Sequence, residues 1–144
     1  MSYYFCGEYQ HTVDAKGRMI VPQKFREILG TNFMVTRGLD DCLFVYPLEE
    51  WDKFTQQLKS LPISNPNARQ FVRFFMAGAV ECELDKQGRI LIPQTLRNYV
   101  GITKDVVVTG VGQRAEIWDA QKWSDYNSQL SSEEIATNME SLGI

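Results

Sequence analysis

The chain states one motif twice. Asp14-Ala-Lys-Gly-Arg18-Met-Ile-Val-Pro22-Gln-Lys-Phe-Arg26-Glu-Ile-Leu-Gly30 returns as Asp85-Lys-Gln-Gly-Arg89-Ile-Leu-Ile-Pro93-Gln-Thr-Leu-Arg97-Asn-Tyr-Val-Gly101. Seven of the 17 aligned positions are identical, and the apolar positions match in type. Gly7 and Gly78 match at the same spacing. Beyond the closing glycine the spacing grows by one residue. Arg37-Gly38 then aligns with Thr109-Gly110, Phe44-Val45-Tyr46 with Glu116-Ile117-Trp118, and Trp51 with Trp123. A unit of this size buries too little surface to close its own core, so stacked copies share one. Two copies in one chain predict an internal pseudo-dimer with two-fold symmetry. The division expected is residues 1–64 for the first repeat, 65–76 for a linker helix, 77–130 for the second repeat and 131–144 for a tail.

Each repeat reads alike. A strand leads to Asp14 or Asp85. Lys16-Gly17 and Gln87-Gly88 form a tight turn in which glycine takes positive φ. Arg18 to Val21 and Arg89 to Ile92 are rich in strand formers. Pro22 and Pro93 end pairing and open a short helix, Gln23 to Leu29 or Gln94 to Val100, which stops at Gly30 or Gly101. Phe33-Met-Val-Thr and Val106-Val-Val-Thr form a third strand, and Cys42 to Tyr46 and Ala115 to Trp118 a fourth. A second helix closes each unit. Trp51, Phe54, Leu58 and Leu61 fall on one helical face, and Trp123, Tyr126 and Leu130 repeat the spacing. Such a stripe is a core face rather than a ligand box.

Asn65-Pro66 marks the start of the linker helix, which runs to about Met76. Phe71, Val72, Phe74 and Phe75 give it more apolar surface than a short surface helix needs. It packs either between the repeats or against another chain. The tail from Ser131 carries a helix N-terminal signature and few large apolar residues; it is either a frayed helix or a disordered end.

Net charge is −3, with 15 Lys and Arg against 18 Asp and Glu. A broad basic coat for nucleic acid is therefore absent, which leaves local patches as the route to DNA. Cys6, Cys42 and Cys82 are widely spaced and read as free thiols. His11 is the single histidine, so metal and triad chemistry have little to work with. The first residues lack the basic and apolar regions of a signal peptide. Glu49, Glu50 and Asp52 suit a helix N-terminus, and Asp40-Asp41 a turn. Gly110-Val-Gly112 lacks the helix a dinucleotide site requires. No cofactor, metal or small-molecule substrate is expected.

The Asp-x-x-Gly-Arg turn is the sharpest chemical feature. Asp14 and Asp85 are suited to capping the turn's N–H groups. Arg18 and Arg89 either brace the turn or reach outward, where a guanidinium fork can grip a phosphate or a guanine edge. Lys16, Lys24 and Arg26 make the first repeat the more basic; the second has Gln87 in place of Lys16.

These residues, Asp14-Ala-Lys-Gly-Arg18 and Asp85-Lys-Gln-Gly-Arg89 followed by Ile-Val-Pro and Leu-Ile-Pro, resemble the mark of the MraZ family of bacterial transcriptional regulators. That family is related to the AbrB and MazE swapped-hairpin DNA-binding proteins. The resemblance spans nearly the whole chain, except for the tail. It implies an α+β fold of two tandem β-α-β units whose hairpins interlock into an internal pseudo-dimeric barrel flanked by helices. It also implies a ring-shaped homo-oligomer in the cytoplasm, associated with the nucleoid. That ring would bind short direct repeats in double-stranded DNA upstream of its own division and cell-wall gene cluster. Carried over by position, Arg18 and Arg89 are the first DNA contacts. Lys16, Lys24, Lys86 and Arg26 follow as phosphate contacts, with Arg97 weaker, while Asp14, Gly17, Asp85 and Gly88 shape the turns. The competing readings are an antitoxin-like regulator, for which the short acidic tail is a poor toxin-wrapping segment, and a protein-interaction scaffold using the Phe71–Phe75 helix.

Overall fold

The computed structural model describes residues 4–144. In the first repeat the elements are β1 (Glu8–Thr12), β2 (Arg18–Ile20), α1 (Gln23–Leu29), β3 (Asn32–Arg37), β4 (Leu43–Pro47) and α2 (Leu48–Lys59). After α3 (Pro66–Ala77), the same series returns as β5 (Val80–Glu83), β6 (Arg89–Leu91), α4 (Gln94–Val100), β7 (Asp105–Gly110), β8 (Ala115–Asp119) and α5 (Ala120–Ser128). A last helix, α6 (Ser132–Ser141), follows. The tail is thus helical, with Ser131 Oγ accepting from Glu134 N at 3.2 Å as an N-cap.

The repeats exchange strands. Six strands form one sheet in the order β1-β7-β8-β4-β3-β5, and β2 pairs only with β6 in a separate ribbon. Every neighbour of β1, β2, β5 and β6 in these sheets therefore lies in the other repeat. The order reads the same from both ends when each strand is replaced by its counterpart, so a pseudo-two-fold passes between β4 and β8, where Phe44 faces Glu116. It also passes through the ribbon where Met19 faces Ile90. The α+β class, the duplication and the interlocked hairpins follow the expectation. The closed barrel does not: the sheet is open, with β1 and β5 at its two ends. The ribbon stays a separate pair, joined to the hairpin strand before it by the single bridge Val13–Met19 and by Asp14 N to Arg18 O at 2.9 Å.

The ladders also correct one alignment. Arg37 pairs with Leu43 and Gly110 with Ala115, so Arg37 is the counterpart of Gly110, not of Thr109. The first repeat's hairpin holds the extra residue. Asp40 and Asp41 turn its corner with φ of 63° and 62°, a conformation Asp tolerates better than most side chains.

Strand alternation sends side chains to two cores. On one face Phe33, Val35, Leu43, Val45, Val106, Val108, Ala115 and Ile117 meet Met19 and Ile90 of the ribbon, Phe25 and Leu29 of α1, and Leu96 and Val100 of α4. On the other face Phe44, Tyr46 and Trp118 meet Trp51 and Leu58 of α2 and Phe75 of α3. Trp51 and Leu58 of the expected stripe are thus core and Phe54 packs against them, whereas Leu61 lies beyond α2 and is exposed; in the second repeat Trp123 packs against this core but Tyr126 and Leu130 are exposed. Glu116 is 8% exposed in this second core. Its carboxylate is compensated by Arg114 Nη2 at 3.0 Å and Trp118 Nε1 at 3.1 Å, as burial of a charge demands. Arg114 also lies over the Phe44 ring, 3.9 Å from its centroid.

Helix α3 packs between the repeats. Thr36 Oγ1 donates to Phe75 O at 2.6 Å and Arg37 Nε to Phe74 O at 3.0 Å. The Phe74 ring meets Tyr99 of α4 edge-on at 5.9 Å. Phe71 is left exposed. Burial raises the Tyr99 phenol and pushes the Cys82 thiol up to about 11, and Cys42 is likewise buried and raised.

Because β1 and β2 find their partners only in the second repeat, residues 1–64 expressed alone are expected to remain unfolded at low concentration and to fold only by pairing with a second copy of themselves. Amide chemical-shift dispersion recorded beside light scattering checks this; a folded monomer would contradict it.

Candidate nucleic-acid interface

The two turns are built alike to within a few tenths of an ångström. Asp14 Oδ1 accepts from Lys16 N at 3.0 Å and from Arg18 N at 2.9 Å, while Oδ2 accepts from Arg18 Nε at 2.8 Å. Asp85 Oδ1 accepts from Gln87 N and Arg89 N, both at 2.9 Å, and Oδ2 from Arg89 Nε at 2.8 Å. Gly17 and Gly88 take φ of 89° and 76°, which their lack of a Cβ permits. The aspartates therefore cap the turns. The arginines brace them by bonding the carboxylate through Nε, which leaves the terminal guanidinium nitrogens of Arg18 without a partner in the turn. The side chains of Arg18 and Arg89 are 34% and 27% exposed.

Each turn is carried by the opposite repeat. Val21 N donates to Gly88 O at 3.0 Å, and Ile92 N to Gly17 O at 2.9 Å. Arg97 reaches beneath the first repeat's turn, where a Cβ on Gly17 would sit 2.7 Å from its Cζ. Its Nε donates to Ile92 O at 2.9 Å. Arg26 reaches beneath the second repeat's turn, where a Cβ on Gly88 would overlap its Nη1; its Nε is buried without a partner. These two arginines, read from the sequence as phosphate contacts of second and third rank, are partly buried supports of the turn across the pseudo-two-fold. Nothing in the spacing of either repeat signals this, because the residues involved lie in different halves.

The ribbon joins the turns into one surface. Arg18 pairs with Leu91, Met19 with Ile90 and Ile20 with Arg89. Met19 and Ile90 point into the core, so Arg18, Ile20, Arg89 and Leu91 occupy the outer face. Ile20 is 47% and Leu91 57% exposed, an unusual placement for two aliphatic side chains set between two guanidinium groups. Sequence reading passed over both, although the period-two pattern of Arg-Met-Ile and Arg-Ile-Leu places them beside the arginines. Lys16, Lys24 and Lys86 are exposed. The turns differ in one respect: Gln87 Oε1 accepts from Arg89 Nη2 at 3.4 Å, so Arg89 is held at a second point.

Among the described residues no group of three or more His, Cys, Asp or Glu side chains is placed to hold a metal ion. No helix among them is long and apolar enough to cross a membrane.

An open sheet of exchanged strands, two Asp-x-x-x-Arg turns and a ribbon between them define a duplicated swapped-hairpin protein of the AbrB and MazE type. The family model described as "MraZ protein, putative antitoxin-like" matches the chain twice, over residues 4–74 and 75–142. The chain belongs to the MraZ family. It is 58% identical over 142 residues to the transcriptional regulator MraZ of Acetivibrio thermocellus, covering 97% of this chain and 99% of that one. It is 56% identical over 140 residues to the transcriptional regulator MraZ of a Thermoanaerobacter species, covering 96% and 98%. A third relative of the same name, from Halothermothrix orenii, is 56% identical over 142 residues, covering 97% and 99%. The family is one of transcriptional regulators, a class without enzymatic activity.

Both turn carboxyls are held below the ordinary aspartate range. The first cause is the hydrogen bond from the backbone N–H of the arginine four residues on; its guanidinium and a second backbone N–H add to this. A carboxyl lowered on folding favours the folded turn fully above the ordinary range, and that contribution is lost as pH falls through the lowered value. An NMR titration is expected to place the midpoints of Asp14 and Asp85 below that of free aspartate. In Arg18→Ala the Asp14 midpoint rises part of the way back while Asp85 stays. Midpoints at the free value would contradict the capped geometry.

Proposed function

We propose that the chain regulates transcription by binding short direct repeats in double-stranded DNA upstream of its own division and cell-wall gene cluster, using its Asp-x-x-x-Arg turns on a ring-shaped homo-oligomer associated with the nucleoid. The observation that carries this reading is the outer face of the β2–β6 ribbon, where Arg18 and Arg89 flank Ile20 and Leu91 about a pseudo-two-fold. A two-stranded ribbon fits the major groove of B-DNA. An arginine held at Nε presents its remaining nitrogens as a fork, the geometry that pairs with guanine O6 and N7 or with a phosphate. Ile20 and Leu91 are suited to apolar contact with a thymine methyl. Lys16, Lys24 and Lys86 neutralise flanking phosphates, and Arg26 adds its charge from beneath the turn.

The two turns do not bind equally. Arg18 uses Nε alone within the described residues and has Lys16 beside it, whereas Arg89 is also tethered to Gln87. The first repeat is therefore the stronger contact. One pair of turns makes few contacts, and a net charge of −3 opposes approach to DNA. Several turns facing several DNA repeats make each later contact intramolecular, and avidity supplies the affinity.

Gel-shift titration on the DNA upstream of the gene tests this. Binding is expected to need at least two repeats and to weaken as salt rises, because counterions are released with each phosphate neutralised. Each bidentate contact is worth about 1–3 kcal/mol, and its loss recurs in every copy of the ring. Arg18→Ala should therefore abolish the shift while leaving the fold intact, and Arg89→Ala should weaken it less. A single repeat bound as tightly as three would contradict the avidity mechanism.

A further inference from the structure

Two arginines lie beneath turns that belong to the other repeat. Helix α4 is fixed by Leu96 and Val100 in the core, and from it half-buried Arg97 extends under the first turn. Its Nε donates to Ile92 O at 2.9 Å, and the N–H of the same Ile92 donates to Gly17 O at 2.9 Å. The Cβ position of Gly17 lies 2.7 Å from Arg97 Cζ and Nη2 and 2.9 Å from Nε. The central carbon is no farther than the nitrogens, so the guanidinium lies with its flat face against the Gly17 backbone. Ile92 and Arg97 together hold the first turn, one by a backbone hydrogen bond and the other by a planar contact.

The mirrored contact is looser. Arg26 of α1 reaches under the second turn, and Val21 N donates to Gly88 O at 3.0 Å. Arg26 meets Gly88 by its terminal Nη1, the atom nearest the Cβ position, rather than by the flat of the group. Its Nε is buried with no partner, whereas Arg97 Nε has Ile92 O. The clamp around the first turn is closed by that bond, and the clamp around the second is left open.

We propose that Arg97 is a positioning residue for Arg18. From the second repeat it holds the first turn in the shape that presents the Arg18 fork, without touching DNA itself, and Arg26 does the same less firmly for Arg89. Contact by one repeat is thereby set by a helix of the other. The consequence for affinity rests on the DNA-binding reading above, whereas the consequence for the turn does not. A lysine can replace an arginine that supplies only charge to a phosphate, since its ammonium is a point charge of the same sign. It cannot replace one that acts through a planar face and an Nε–H. The two roles therefore separate at a single substitution.

The test uses the full chain with Arg97→Ala and Arg97→Lys. The lysine keeps the aliphatic stem and the charge, so it serves where the alanine variant does not fold. NMR titration of the aspartate carboxyls without DNA reads the turns. Both variants are expected to raise the Asp14 midpoint toward the free value and to leave Asp85 in place, because Asp14 caps only the first turn. Arg26→Lys is expected to move Asp85 and leave Asp14. Gel shift on the DNA upstream of the gene reads the contact. Both Arg97 variants should bind roughly tenfold more weakly, the order of one impaired arginine contact, and Arg26→Lys should lose less. Wild-type affinity in Arg97→Lys beside a loss in Arg97→Ala would make Arg97 a charge contact and overturn the proposal. So would an Asp14 midpoint that stays, or one that moves together with Asp85 as general loosening of the fold requires. If the wild type binds no repeats, the DNA-binding reading falls, and the Asp14 midpoint still decides whether Arg97 holds the turn.

Discussion

The backbone hydrogen bonds that cross between the repeats hold the rest of the structure in place. Val21 N to Gly88 O and Ile92 N to Gly17 O tie each strand leaving a turn to the turn of the other repeat. The pairings of β1 with β7 and β3 with β5 do the same for the sheet. A buried backbone N–H or C=O without a partner carries a substantial free-energy cost. The two repeats are therefore not neighbours that touch; each is the completion of the other's ladder. The ribbon lies on the pseudo-two-fold because its two strands are counterparts of one another, and the two arginines flank that axis for the same reason.

This exchange also explains why exposed turns can hold a defined shape. A turn with two capped N–H groups and a glycine at positive φ would be mobile if only its own strands supported it. Here Met19 and Ile90 anchor the ribbon in the core formed with α1, α4 and the sheet, and Arg26 and Arg97 fill the space beneath the turns. Replacing either glycine would force a Cβ into a guanidinium as well as strain the backbone. The repeated glycine thus has two physical causes, one local and one across the interface. The sheet separates the ribbon side from the aromatic core under α2 and α3, so the two faces of the molecule differ in chemistry.

Local features were largely legible in the residues. Both short helices run over the residues that proline before and glycine after them indicate, Gln23–Leu29 and Gln94–Val100. The turns have the caps that Asp14 and Asp85 suggested, and the stripe is core at Trp51 and Leu58 but not at Leu61, Tyr126 or Leu130. What the residues did not disclose is anything that depends on which strand meets which. The open sheet follows from β2 and β6 pairing only with each other. The places of Arg26 and Arg97 follow from strand exchange, and a helix arginine looks the same in sequence whether its guanidinium meets water or another repeat's turn. The Arg114–Glu116–Trp118 network escaped notice because its members read simply as alternating residues of a strand. The tail helix buries none of its residues, so its stripe of Ile135, Met139 and Leu142 offers no core pattern in the sequence.

Fusing two repeats into one chain has a consequence for how such a surface changes over time. In a dimer of identical chains every substitution in a turn appears twice, so a change that suits one half of a binding site is imposed on the other. Here each turn is encoded separately. Lys16 and Gln87 occupy equivalent positions with different chemistry, and the second turn has used its glutamine to tether Arg89. One turn can be altered while its twin keeps the shared core and the shared ladder intact, so the molecule retains the economy of symmetry in its fold without being bound to symmetry in what it touches.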